Sequence, residues 1–241
     1  QYYSATRLAP ESPVPVLQFV SETQNEGMAS NVWRNVDSFG IEVDLITNRN
    51  YEKIIKTRIM DDASNHMFCR IDKNDHLFEN IKHLYLRLSE DWFTLVDWDS
   101  YDAVIISDYN KGFLTVEDIN SIIASHSLVF LDTKKIITDK ISDKIDFIKI
   151  NHNEFLKSVS SMSEKLKSKC IITHGKKGAT FQGKNFPVPE VGIKDVSGAG
   201  DTFLASLVVS YLRNGSDIEK AIEFANECAT EVVQRKGVSV I

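Results

Sequence analysis

The sequence predicts an α/β fold: a central, mostly parallel sheet covered by helices on both faces, with a small β-sheet projecting from it. Three observations carry this. From Tyr101 onward, short apolar runs alternate with stretches of helical period. Ahead of Tyr101, three segments show the polar alternation of half-exposed strands instead. Near the carboxyl end, a glycine-rich turn opens directly into an apolar helix.

The opening residues read as polar, turn-like sequence without a first hydrophobic strand. Segments 14–20, 52–60 and 66–72 alternate as strands of a small sheet suited to a lid or a dimer surface. Residues 27–40 read as a helix with Val32, Val36 and Phe39 on one face. The runs at 103–106, 128–131, 147–150 and 170–172 suit strands covered on both faces. Helices are expected between them at 115–126, 136–144 and 153–168, with Thr115 and Asp118 resembling a capping box. Such alternation implies right-handed βαβ units. A tight turn at 175–178 then leads to a returning strand at 179–182. Phe203, Leu204, Leu207, Val208, Tyr211 and Leu212 repeat at helical spacing until Asn214-Gly215, and a last amphipathic helix spans 216–235, stopped by Gly237. The whole reads as one domain over 1–241, with lid strands within about 12–22 and 51–73 and the core chiefly 101–241.

Composition excludes several classes. A formal net charge of −6 leaves no broad basic surface, so no nucleic-acid partner is expected. The longest apolar run, near Leu204, is too short to span a bilayer, so no membrane partner is expected either. Cys69, Cys170 and Cys228 lack metal-ligand spacing; the last two fall on apolar patterns, and a reducing cytoplasm is the expected setting. Neither a Gly-x-x-x-x-Gly-Lys-Ser/Thr phosphate loop nor a His-x-Gly-His motif occurs.

The chemistry concentrates in Asp195-Val196-Ser197-Gly198-Ala199-Gly200-Asp201-Thr202-Phe203. Gly198, Ala199 and Gly200 stand where a helix presents free backbone N–H groups, and their small size lets an anion approach. Asp201 is a first-turn acid of the kind that caps many helices, yet a carboxylate beside an anion hole makes better sense as a general base in phosphoryl transfer. Polar residues also gather after four successive strands: Ser107-Asp108-Tyr109-Asn110-Lys111-Gly112, Asp132-Thr133-Lys134, Asn151-His152-Asn153-Glu154 and Thr173-His174-Gly175. Open α/β sheets bind ligands at those ends. Lys176 and Lys177 suit either a nucleotide phosphate or a solvated hairpin tip.

These residues resemble a known family. The 195–203 segment is similar to the Asp-Thr-x-Gly-Ala-Gly-Asp-x-Phe signature of the ribokinase-like (PfkB) carbohydrate kinases. Arg7-Leu8-Ala9-Pro10-Glu11-Ser12-Pro13-Val14-Pro15-Val16 resembles the Arg-Ile-Ser-Pro-Glu-Ala-Pro-Val-Pro-Val of the heptose-7-phosphate kinase domains in bifunctional ADP-heptose synthesis proteins. The 107–112 segment resembles their Ser-Asp-Tyr-x-Lys-Gly, 132–134 their Asp-Pro-Lys, and Asn151 with Glu154 the family's Asn-x-x-Glu. Lys56, Arg58, Arg70 and Asp72 fit the two lid strands, so the resemblance runs over essentially the whole chain.

The resemblance implies a three-layer α/β/α sandwich with a β-lid, and an ATP- and Mg²⁺-dependent kinase acting on a sugar phosphate. Asp201 would be the catalytic base, with Gly198, Ala199 and Gly200 holding the transferring group. Asn151, Glu154, Thr173, Gly175, Gly178 and Asn226 would serve the nucleotide, Asn151 and Glu154 also meeting Mg²⁺ through water. Gly27, Asn31, Arg58, Arg70, Asp108 and Lys111 would contact the sugar phosphate, and a homodimer through the lid is expected. Three departures stand out. No strand with the family's Gly-Asp pair precedes Gln1, Met28 replaces a glycine of the family's Gly-Gly, and 43–48 leads almost directly into the lid strand at Glu52, as if one βα unit were absent. Another sugar or nucleoside kinase of this family, or a catalytically silent relative binding nucleotide or a partner, are the alternatives.

Overall fold

The computed structural model describes residues 1–47, 51–74 and 92–241. Two sheets organise them. The smaller has the order β2-β1-β3-β4, built from β1 (Tyr2–Leu8), β2 (Pro15–Ser21), β3 (Ile55–Asp61) and β4 (Met67–Lys73). The opening residues are therefore a strand, contrary to the turn-like reading. β1 pairs antiparallel with β2 and parallel with β3. Its polar residues fit because the sheet is mostly solvated; what holds β1 is ladder pairing on both sides rather than burial. Lys236 anchors the sheet to the body, pairing with Asp62 at 3.0 Å and lying 4.2 Å from the Tyr2 ring centroid.

The larger sheet has the order β10-β9-β8-β7-β6-β5. Its strands are β5 (Val104–Asp108), β6 (Val129–Thr133), β7 (Phe147–Asn151), β8 (Cys170–Thr173), β9 (Ala179–Phe181) and β10 (Lys184–Phe186). The first four run parallel and the last two turn back antiparallel. Alternate side chains point to opposite faces. Phe130 and Ile171 join one core with α1 (Met28–Ser38), α5 (Ala199–Arg213) and α6 (Ile218–Val232). Val129, Leu131, Ile148, Ile150 and Cys170 join the other, beneath α2 (Val116–Ser125). The α/β/α sandwich with a projecting sheet is thus present.

Two helices differ from expectation. Residues 136–144 form turns: the amides of Ile141 and Ile145 bond to the carbonyls of Thr138 and Ser142, three residues back. Ile137, Ile141 and Ile145 all face the core, so the four-residue spacing comes from consecutive turns, not a helix. The expected 153–168 helix is two pieces, α3 (His152–Ser158) and α4 (Glu164–Lys167). The intervening serines favour local side-chain bonds: Ser158 Oγ accepts the Ile137 amide at 3.1 Å and Ser163 starts afresh as an N-cap. Asn48 of the 43–48 segment lies outside the described residues; 41–47 carries no strand, and β5 ends the sheet on that side.

Candidate active site

Gly198 is the N-cap of α5, and its φ of 85° is the left-handed conformation. A β-carbon there would meet Asn31 Nδ2 at 2.9 Å and Val238 Cγ1 at 3.0 Å, so both φ and space require glycine. The amides of Asp201 and Thr202 bond to the Gly198 carbonyl at 2.9 Å each, and that of Ala199 to Val196 at 3.3 Å. Among the described residues, the amides of Gly198 and Gly200 have no backbone acceptor. That is the donor pattern of an anion hole at a helix start.

Asp201 is 6% exposed, and both its oxygens are engaged. Asn31 Nδ2 on α1 donates to Oδ2 at 2.9 Å, and the Tyr109 hydroxyl donates to Oδ1 at 2.5 Å. Burial pushes the carboxyl above its ordinary value, while these two bonds and the Lys149 charge pull it back. Asn31 is itself fixed, since Asn35 Nδ2 donates to its carbonyl at 2.7 Å and Thr202 Oγ1 donates to Asn35 Oδ1 at 3.1 Å.

A buried ion pair lies beside the hole. Lys149, in the middle of β7, and Asp132, near the end of β6, are each 5% exposed and meet at 2.6 Å. Burial pulls the Lys149 ammonium down, but the Asp132 charge and hydrogen bond, joined by Asp201 and Glu154, leave it raised. Asp132 Oδ1 is buried without a hydrogen-bond partner among the described residues, with Lys134 Nζ 3.9 Å away. Lys134 in turn pairs with Glu154 at 2.7 Å. Asn151 and Glu154 form a capping box at the start of α3: Asn151 Oδ1 accepts the Glu154 amide at 2.9 Å and Glu154 Oε2 accepts the Asn151 amide at 3.1 Å.

Asn151, Thr173 and Gly175 line one cleft of about 480 Å³ with His152, His174 and Lys177. Gly178 and Asn226, expected at the nucleotide, are not among its lining residues. A β-carbon on Gly178 would lie 2.0 Å from the Phe186 carbonyl oxygen, which also accepts from Asn226 Nδ2 at 2.9 Å. Gly27, Asp108 and Lys111 line a second cavity of about 300 Å³, together with Met28, Tyr109 and a largely apolar interior. Asp108 is buried: its Oδ1 accepts the Asn110 amide at 2.9 Å, and its Oδ2 accepts Thr133 Oγ1 at 2.7 Å and pairs with Lys135 at 3.0 Å. Arg58 and Arg70 stand directly opposite each other on β3 and β4 and line neither cavity. Met28 keeps a φ of 48°, the conformation a glycine would adopt freely.

Sequence reasoning placed Tyr109 and Asp132 among the polar residues at strand ends without giving either a role, and it passed over Lys149. The available signal was a lysine inside an otherwise apolar central strand, a position where an unpaired charge is not tolerated. No group of three or more His, Cys, Asp or Glu side chains among the described residues could hold a metal. Nor is any described helix long and apolar enough to cross a membrane.

The profile described as "pfkB family carbohydrate kinase" matches residues 114–240. Among curated proteins, the chain is 31% identical over 282 residues to the "Bifunctional protein HldE" of Helicobacter pylori (strain Shi470), covering 96% of this chain and 59% of that one. A protein of the same name from a Nitratiruptor species is 29% identical over 273 residues, covering 97% and 58%. The chain thus spans less than two thirds of these relatives. Among solved structures, phosphofructokinase-2 from Escherichia coli superposes with a TM-score of 0.61 at 14% identity, covering 96% of this chain and 89% of that one. Ribokinase from Thermotoga maritima gives a TM-score of 0.59 at 18% identity, covering 98% and 90%. These structural likenesses bear on the fold.

Proposed function

The chain belongs to the pfkB family of carbohydrate kinases, phosphotransferases with a sugar hydroxyl as acceptor, and from that premise we propose that it carries the γ-phosphoryl group of ATP to a sugar phosphate. The substrate we assign is D-glycero-β-D-manno-heptose 7-phosphate, phosphorylated at its anomeric oxygen to the 1,7-bisphosphate. The single observation that carries the reaction is a buried carboxylate in the first turn of α5, beside the free amides of Gly198 and Gly200. The two HldE relatives and the lid-strand residues support the heptose.

In this reading the acceptor hydroxyl gives its proton to Asp201 as its oxygen bonds to the γ-phosphorus. The bond from that phosphorus to the β-phosphate oxygen breaks, and ADP leaves. The amides of Gly198 and Gly200 meet the charge on the transferring oxygens at no reorganisation cost, because the helix already fixes them. Lys149 places a positive charge next to Gly200. The 480 Å³ cleft takes the nucleotide, and the cavity lined by Gly27, Asp108 and Lys111 takes the sugar, with Asn31 held on Asp201.

Asn151, Glu154 and the unpartnered Asp132 Oδ1 are hard oxygen donors of the kind Mg²⁺ prefers. Because Glu154 already accepts from Lys134 and from the Asn151 amide, it would hold the ion through water. Bound there, Mg²⁺ would neutralise charge on the β- and γ-phosphates. The lid exposes Phe19, Val20, Met67 and Ile71, and we assign this apolar surface to a homodimer in the cytoplasm.

The test is ADP release over a panel of sugar phosphates that includes the heptose 7-phosphate. Turnover confined to a different sugar or a nucleoside would overturn the substrate. Absence of turnover on every acceptor, with ATP still bound, would favour a silent relative.

A further inference from the structure

Tyr109 follows β5 directly, and its hydroxyl is the short partner of Asp201 Oδ1 at 2.5 Å. Its turn is rigidly built. Asp108 holds the Asn110 amide at 2.9 Å, and Lys135 Nζ bonds Asn110 Oδ1 at 2.8 Å while pairing with Asp108 at 3.0 Å. Thr133 at the end of β6 ties the same carboxylate at 2.7 Å. Asn110 adopts a φ of 53°, a conformation asparagine tolerates better than most residues. These bonds fix the turn from which the Tyr109 phenol reaches Asp201 Oδ1.

The carboxylate needs such a partner. A buried anion without donors is costly, and Asp201 has Asn31 on one oxygen and Tyr109 on the other. Each carboxylate oxygen accepts two hydrogen bonds, so one direction on each remains for an acceptor hydroxyl. We propose that Tyr109 is a positioning residue for the base, its phenol fixing the plane and ionised state of the Asp201 carboxylate while leaving the remaining lone pairs for the sugar hydroxyl. The assignment rests on Asp201 being the base. Burial, then the charge and hydrogen bond of Asp201, push the Tyr109 pKa well above the ordinary tyrosine value, so the phenol keeps its proton and stays the donor. The groups acting on Asp201 from the elements around it are Tyr109 after β5, Asp132 on β6, Lys149 on β7 and the neutral Asn31 on α1. Only Asp132 opposes ionisation among them.

The experiment is a ¹³C-carboxyl titration of Asp201 in wild type and Tyr109→Phe, beside kcat/KM as a function of pH with ATP and the heptose 7-phosphate. Removing a donor to the ionised form raises the carboxyl's midpoint, here by about one pH unit, and the acid limb of kcat/KM should follow it. Turnover at neutral pH should fall about tenfold, with ATP affinity unchanged. A midpoint and acid limb that coincide with wild type overturn the proposal, as does a variant that loses ATP binding and thermal stability without moving the midpoint. Should Tyr109→Phe fail to fold, site-specific 3-fluorotyrosine at position 109 strengthens the donor and must lower the midpoint; no movement is equally fatal. Undiminished turnover in Asp201→Asn would instead sink the base while leaving the titration result standing, so the two failures are told apart.

Discussion

The ammonium of Lys149 lies 2.9 Å from the point where a β-carbon on Gly200 would stand. The far end of a lysine normally swings aside at little cost. This one is held at 2.6 Å by Asp132 and is 5% exposed, so it has nowhere to go. Gly200→Ala is therefore expected to destabilise the fold by about 1–3 kcal/mol and to reduce turnover more than ATP binding. Urea denaturation and initial rates check both; an alanine variant as stable and active as wild type would show that the lysine is free to move.

Lys149→Met should cost more. Among the described residues it removes the only ion-pair partner that Asp132 holds within 3 Å and leaves a buried carboxylate, a change typically worth about 3–5 kcal/mol. Replacing both residues together, Lys149→Met with Asp132→Leu, should recover much of that loss, because the pair's desolvation cost disappears with it. Chemical denaturation of the three variants decides; equal destabilisation by the single and double changes would contradict the coupling.

Met28 occupies a glycine's conformation at φ 48°. Met28→Gly relieves that strain and should raise stability by about 1 kcal/mol despite the added chain entropy of glycine. A lower melting temperature in the variant would mean that the methionine side chain's packing outweighs its backbone strain.

Asp201 carries a pH signature of its own. Burial raises its folded-state pKa above the unfolded one, so the folded state binds the proton more tightly. Stability therefore falls as pH rises from the unfolded value near 3.8 to the folded one, and the penalty is fully present above that. Asp201→Asn should match wild type at the acid end of this window and become the more stable protein toward neutral pH. Melting temperatures across that range test it; a variant less stable at neutral pH than at the acid end, relative to wild type, would contradict the sign.

Where local chemistry dictated local structure, the sequence was a reliable guide. Thr115 and Asp118 form the expected capping box, and α2 ends at Ser125, one residue short of the expected end. Gly198, Ala199 and Gly200 stand at the start of α5, as the small-residue signature implies. The failures occurred where spacing had two physical causes. Ile137, Ile141 and Ile145 are spaced for a helix, yet they are equally spaced for successive turns over the same core. The opening strand was invisible because Tyr2–Leu8 is held by neighbours distant in sequence, and its own residues bury little. The same limit hid the pairings of Tyr109 and Lys149: their partners Asp201 and Asp132 are 92 and 17 residues away, and only the fold brings them together.

The central claim is that Asp201 takes the proton from the acceptor hydroxyl. It is tested most directly by ADP release from ATP and the heptose 7-phosphate in wild type and Asp201→Asn, with ATP affinity measured on both. The account predicts intact ATP binding and a fall in turnover of about a hundredfold or more in the variant. Turnover that survives the substitution undiminished would contradict it.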